Sequence, residues 1–239
     1  MQLLVKRGLD VASTIVSNGE TVMHHAAMNG RGWSVKWLLD NGASLDVQDH
    51  HGRKPQTSAV VLGTKDLSAR SALEAIADSE DGLNRMSVMW NGLSLLHLAA
   101  AKGFDHCVRY LVSKGAEVNS KTADGDEQMA MHCAVTNNRT NTVRVLADSG
   151  ACVDARDSSG TTPLHLAVAG DGHLDIGTTL LELGASCNIA DSGGRTPLWT
   201  AAKNGNLACC SLLVARGADL ALRDNQGKNA LGACLNGSH

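Results

Sequence analysis

Apolar positions along this chain fall into two alternating helical patterns. The first opens on the phrase Thr161-Thr162-Pro163-Leu164-His165-Leu166-Ala167, with Leu and Ala at helical spacing. Thr before Pro reads as a helix start, since the hydroxyl caps free backbone N–H groups and Pro tolerates the first helical position. The phrase returns as Thr196-Pro197-Leu198-Trp199-Thr200-Ala201-Ala202. Weaker copies are Thr21-Val22-Met23-His24-His25-Ala26-Ala27 and Ser94-Leu95-Leu96-His97-Leu98-Ala99-Ala100. A second stripe follows, such as Val35, Trp37, Leu38 and Leu39, or Val108, Tyr110, Leu111 and Val112. Between the two helices, six residues after the His position, stand Gly30, Gly103 and Gly205, with Asn138 in one copy. These residue types reach positive φ most easily, so a sharp turn is expected there. A Gly-Ala pair then ends the second helix as a C-cap glycine would, at Gly42, Gly115, Gly150, Gly184 and Gly217. Polar stretches such as Asp224-Asn225-Gln226-Gly227 make a hairpin to the next copy.

The glycines that open each copy stand at 19, 52, 92, 125, 160, 194 and 227, spaced by 33, 40, 33, 35, 34 and 33 residues. A period of 33 carrying Gly-x-Thr-Pro-Leu-His-x-Ala resembles the ankyrin repeat. The resemblance runs from residue 1 to about 235. It implies an all-α repeat solenoid, an ankyrin-repeat stack of helix-turn-helix units joined by β-hairpin loops. In such a stack no unit buries its own apolar face, and stability comes from neighbours. The register divides the chain into a partial repeat at 1–18, a repeat at 19–51 and a degenerate repeat at 52–91. Repeats at 92–124, 125–159, 160–193 and 194–226 follow, then a partial repeat at 227–236. The half-repeats at both ends read either as caps or as the edges of a longer array. Gly237-Ser238-His239 suits an expression-tag stub as well as a native end.

In the degenerate repeat, Pro55, Ala59 and Gly63 keep the first helix in register. The second helix looks extended, through Leu67, Ala72, Leu73, Ala75 and Ile76, and the Gly-Ala marker is missing. The extra residues fall near 79–89 as an enlarged loop. Trp90 lies beside it with Met86, Val88 and Met89, either as an interface anchor or folded back on the long helix. Trp33 stands where a polar residue is usual, and is a surface patch or a packing contact.

Composition narrows the function. Apolar residues make up 43% but aromatics only 3%, which suits thin, closely packed helices better than a deep catalytic pocket. A net charge of −3 argues against a nucleic-acid footprint. No apolar run approaches a membrane span, so no membrane insertion is expected. Seven scattered cysteines without paired spacing fit free thiols in a reducing compartment, the cytoplasm or the nucleus.

His24, His97, His132 and His165 share one slot of successive repeats. The resemblance gives that slot a structural role, bonding backbone between repeats, and the roughly 10 Å between neighbouring layers rules out one metal ion. Trp199 fills the slot in the 194–226 repeat. Cys209 and Cys210 fall on apolar positions as buried thiols, and His50 and His51 sit at a solvated tip. No phosphate loop, Cys-x-x-Cys, His-Glu-x-x-His or nucleophile elbow appears, so no enzyme, no cofactor and no metal are expected.

The resemblance instead implies a protein-interaction module, a scaffold or adaptor, monomeric in isolation and holding a protein or peptide on its concave face. Transferred by register, the contact positions are Trp90, Asn91, Lys102, Thr136, Asn137, Ser158, Arg195, Lys203 and Asn204. The full set of tips and helix ends is mildly basic, which fits an acidic or mixed peptide. Asn119 and Asn188, eight residues after Leu111 and Leu180, match the spacing of asparagines that are hydroxylated in many animal ankyrin proteins; plain loop-stabilising asparagines are the other reading. Six to seven repeats also resemble the inhibitors of kappa B, which points to a transcription-factor inhibitor as an alternative. A recruitment domain of a larger enzyme is another.

Overall fold

The computed structural model describes residues 17–78, 89–170 and 174–235. The N-terminal half-repeat up to residue 16, most of the enlarged loop with Met86 and Val88, and the 237–239 tripeptide lie outside the described residues. Two compact units divide the chain, residues 1–117 and 118–239.

The first unit holds three helix pairs: α1 (Val22–Met28) with α2 (Gly32–Asp40), α3 (Pro55–Val61) with α4 (Asp66–Ala77), and α5 (Leu95–Lys102) with α6 (Asp105–Ser113). First helices stack on first helices, α1 on α3 on α5, and second on second, α2 on α4 on α6. The second unit repeats the arrangement with α7 (Ala130–Thr136), α8 (Thr140–Asp148), α9 (Pro163–Ala169), α10 (Leu174–Glu182), α11 (Pro197–Lys203), α12 (Leu207–Ala215) and the short α13 (Ala230–Cys234). Here α7, α9, α11 and α13 form one row and α8, α10 and α12 the other. Both units are all-α stacks of the expected kind. Small residues make this possible: Ala27, Ala59, Ala99, Ala100, Ala134, Ala167 and Ala201 are wholly buried between layers.

The punctuation behaves as the sequence indicates. Gly30, Gly103, Gly205 and Asn138 all take positive φ at the turn between paired helices, Asn138 at 55°. The glycine of each Gly-Ala pair is left-handed too, and the following alanine N–H closes on the helix, as when Ala151 donates to Leu146 O at 2.9 Å.

Most inter-repeat loops depart from the expected β-hairpins. Among the described residues only β1 (Met89–Trp90) and β2 (Leu93–Ser94) pair, with Trp90 opposite Leu93. Asn91 (φ 50°) and Gly92 (φ 77°) both lie at positive φ, which a two-residue primed turn needs and which Asn-Gly supplies best. The tips at 49–53, 157–161, 191–195 and 224–228 use an Asp side chain instead. Asp157 Oδ1 accepts from Ser159 N and Thr161 N, and Asp224 Oδ1 from Gln226 N and Lys228 N. One carboxylate per tip thereby takes up the turn N–H groups, and a single backbone bond closes the neck, as from Asp157 N to Thr161 O at 3.1 Å.

Helix α4 is long, as expected, but Leu67 at its start is 62% exposed rather than packed. Trp33, at the corresponding point of α2, is also surface, at 72%. Asp66 begins α4 and reaches the next repeat, where Oδ2 accepts from His106 N at 2.7 Å and Oδ1 from Cys107 N at 2.9 Å. Burial pushes the Asp66 pKa up, but these N–H bonds outweigh it and hold the carboxyl below its ordinary value.

The degenerate character of the 52–91 repeat lies inside α3. Gln56, Thr57 and Ser58 are fully buried where the 92–124 and 160–193 repeats carry Leu, His and Leu, and Thr57 Oγ1 and Ser58 Oγ have no hydrogen-bond partner. A buried hydroxyl without a partner costs about 1–3 kcal/mol. Thr57→Val keeps the shape and removes the hydroxyl, so it is expected to stabilise the protein by about 1 kcal/mol in urea unfolding. A destabilised Thr57→Val protein would show that the hydroxyl is bonded.

Candidate functional site

Three slot histidines, His24, His132 and His165, tie their repeat to the following one. Thr162 N donates to His165 Nδ1 at 3.2 Å, closing the first turn of α9 on itself. A ring nitrogen that accepts this N–H leaves the proton on the other, so His165 Nε2 donates to Arg195 O at 2.9 Å in the following repeat. His24 spans from Thr21 N to Arg53 O in the same way, and His132 from Met129 N to Thr161 O. Burial lowers the pKa of His132 and His165 and keeps both rings neutral, as this double role requires. His97 Nδ1 accepts from Ser94 N at 3.2 Å.

Other ties run through the loops. Asn119 Nδ2 donates to Gly150 O while Oδ1 accepts from Cys152 N, and Asn188 joins Gly217 O and Asp219 N identically. Both amides are thus structural bridges onto the next Gly-Ala cap. The tips are also linked one to the next by backbone: in the second unit Ser158 N donates to Asp126 O, Ser192 N to Ser159 O, and Asn225 N to Gly193 O. Cysteines are all unpaired; Cys209 is buried, but Cys210 only half so and Cys152 and Cys234 are exposed. Burial raises the thiol pKa of Cys133 to about 12.

Against this frame the contact positions sort by unit. In the first unit, Trp90 is half-buried and its indole N–H donates to His51 O at 2.9 Å, which ties it to the preceding tip and not to α4. Asn91 caps the β1–β2 turn, and Lys102 is exposed on the last turn of α5. In the second unit, Thr136 and Asn137 are exposed at the end of α7, where Asn137 Nδ2 donates to Cys133 O. Ser158 is exposed at its tip, and Asn204 Nδ2 reaches Ala169 O in the repeat before.

Three of the positions, Arg195, Lys203 and Asn204, come together around a residue that register transfer did not select, Trp199. Arg195, Trp199 and Lys203 lie four apart on one face, with the guanidinium carbon 5.6 Å and the ammonium 5.5 Å from the indole ring, within cation–π range. On one side of the ring is a cleft of about 480 Å³ lined by Gly193, Arg195, Trp199, Lys203, Asp224, Asn225, Gln226, Lys228 and Ala233. On the other a shallower one, about 180 Å³, includes His165, Leu166, Ala169, Thr200 and Asn204. Arg195 is half-exposed and bonded to Asp191, whereas Arg53, in the equivalent slot of the first unit, is enclosed by Glu20 and Asp49. Burial opposes ionisation of Asp191, but Arg195 outweighs it and lowers the pKa. The signal that finds this place was visible: a tryptophan where the neighbours carry histidine. An indole has one donor and no acceptor, so it cannot make the two-sided tie. Its Nε1 is buried without a hydrogen-bond partner.

The geometry describes helix pairs stacked by neighbour contacts, tied by slot histidines and turned at glycine-marked tips. Ankyrin-repeat models match residues 18–47, 34–122, 96–191 and 180–231. The chain belongs to the ankyrin-repeat family. It is similar to the B-cell lymphoma 3 protein homolog of Mus musculus, 32% identical over 76% of this chain and 40% of that protein. It is 32% identical to the nuclear factor NF-kappa-B p105 subunit of Mus musculus over 92% of this chain and 22% of that one. Ankyrin repeat and SOCS box protein 16 of Homo sapiens is 35% identical over 60% of this chain and 31% of its own length. The chain therefore spans less than half the length of these curated relatives. Among the described residues no helix is long and apolar enough to cross a membrane.

Proposed function

We propose that the chain is a protein-interaction module that holds a protein or peptide partner on the face formed by its tips and first helices. The observation that carries this is the cleft pair around Trp199, where an aromatic ring and the cationic side chains of Arg195 and Lys203 share one surface. Tryptophan and arginine dominate interface energetics when they line a pocket, while rim charges mainly set the on-rate. Ser158, Thr136 and Asn137 extend the surface of the second unit, and Trp90, Asn91 and Lys102 present a separate candidate patch on the first. A second reading, control of a transcription factor as by the inhibitors of kappa B, is supported by the similarity to the NF-kappa-B p105 subunit over most of this chain.

Affinity capture from a cell lysate with quantitative mass spectrometry tests the module. At least one protein is expected to be enriched by the wild type and by Lys36→Ala and Arg144→Ala, which alter exposed second-helix residues. Its recovery should fall about tenfold or more with Trp199→Ala, the loss of about 2 kcal/mol typical of an anchor. Lys203→Ala should weaken capture less. Equal recovery by all four variants would remove Trp199 from the binding face.

A further inference from the structure

The larger cleft exists because a tie is missing. In three other repeats the slot histidine bonds the carbonyl one residue after the tip glycine: Arg53 O, Thr161 O and Arg195 O. The corresponding residue after Gly227 is Lys228, but Trp199 forms no hydrogen bond to it, and the opening lies between the ring and the tip at 224–228. This departure from the chain's own pattern leaves a space with a definite charge. Arg195, Lys203 and Lys228 line it against one carboxylate, Asp224. That carboxylate already accepts from Gln226 N and Lys228 N, so its charge is turned toward the loop backbone. Among the described residues neither Lys203 nor Lys228 has a carboxylate partner, and Lys203 rests against the indole ring. Arg195 is paired with Asp191, which leaves the two lysine ammonium groups as a local positive site on a protein of net charge −3.

We propose that this cleft receives an acidic segment of the partner, a Glu or Asp side chain lying on the Trp199 ring with its carboxylate between Lys203 and Lys228. The inference rests on the interaction-module reading and gives that partner its chemistry. The ring supplies a flat apolar floor for the methylene groups of the entering side chain, and the two ammonium groups supply the countercharge beside the Asp191-paired Arg195 guanidinium. A basic segment is repelled by the two lysines, and a neutral one gains only the ring.

The test uses a decaglutamate peptide as probe, with decaglutamine and decalysine of the same length as comparators, titrated against the full chain by calorimetry at low and at physiological salt. The wild type should bind decaglutamate, more weakly as salt rises, and neither comparator. Lys203→Gln combined with Lys228→Gln should weaken binding at least tenfold, whereas the charge-matched pair Lys36→Gln and Arg109→Gln should leave it unchanged. Trp199→His separates the cleft from its charge. It restores the tie to Lys228 O, so it should raise the melting temperature while lowering decaglutamate affinity at least tenfold. Decaglutamine binding as tightly as decaglutamate, or the Lys203/Lys228 variant binding as the wild type does, overturns the proposal. Trp199→His binding undiminished does so too. If a captured protein partner is lost with Trp199→Ala but unaffected by the lysine pair, the module stands and the acidic chemistry falls.

Discussion

Removing residues 223–239 is expected to lower the unfolding midpoint of the second unit by about 5–10 °C, corresponding to about 2–3 kcal/mol. Helix α13 is only five residues long, yet Ala230 and Ala233 are buried against α11, and the tip before it bonds back through Asn225 N to Gly193 O. Without it, Leu198 and Ala201 lose the layer that covers them on one side. Uncovering roughly 200–300 Å² of apolar surface forfeits about 5–8 kcal/mol at about 25 cal/mol per Å², and the freedom regained by the deleted residues offsets part of that. In a stack where each repeat contacts only its neighbours, the loss is local. Amide protection should therefore fall in α11 and α12 while α7 and α8 keep theirs. A truncated protein that melts at the parent temperature would show that the terminal half-repeat covers nothing.

His165→Ala is the second large effect, with an expected loss of about 2–3 kcal/mol, because it leaves the buried Thr162 N without an acceptor, at about 1–3 kcal/mol, and cuts the inter-repeat bond to Arg195 O. Thr162 N loses its acceptor and Arg195 O one of its two donors, Asp191 N remaining, so the start of α9 and the link to the next repeat weaken together. The same histidines set a pH dependence. Burial lowers the native pKa of His132 and His165 below the 6.5 of the unfolded chain, so between those values the unfolded state binds more protons. Their contribution is complete above pH 6.5 and is lost as pH falls toward the native pKa. The lowered carboxylates Asp49, Asp66 and Asp191 act in a separate window, below pH 3.8, where stability falls as they are forced to protonate. Thermal melts from pH 7.5 to 5 should therefore decline, and His165→Ala should decline less steeply. A wild-type melting temperature unchanged over that range would mean that the rings are not held neutral.

These residues also show what a linear reading captures. Repeat register, the left-handed turn glycines, Asn138 and the slot histidines were legible because each is fixed by local geometry or by an identical position one period away. Loop form was legible only in part. Asn91-Gly92 supplies the two consecutive positive-φ residues of a tight two-residue hairpin, whereas Asp157, Asp191 and Asp224 take up their own loop N–H groups in wider tips closed by a single backbone bond. The spacing of Leu67 predicts a packed residue, but it stands on the solvent side of the first turn of α4, whose Asp66 faces the next repeat. Buried Thr57 and Ser58 obey the register and break its chemistry. At the candidate site, Arg195, Lys203 and Asn204 followed from their slots. Trp199 was passed over because it occupies a structural slot, and only the missing tie to Lys228 O reveals the opening beside it.

The most direct measurement is amide hydrogen exchange of the chain, free and with the protein that it captures. If the partner sits where we propose, protection will increase at the tips and first helices around Trp199, in residues 191–204 and 224–228, and exchange in α8 and α10 will be unaltered. Protection confined to α8, α10 and α12, with residues 191–204 unaffected, would place the partner on the second-helix side and contradict the account.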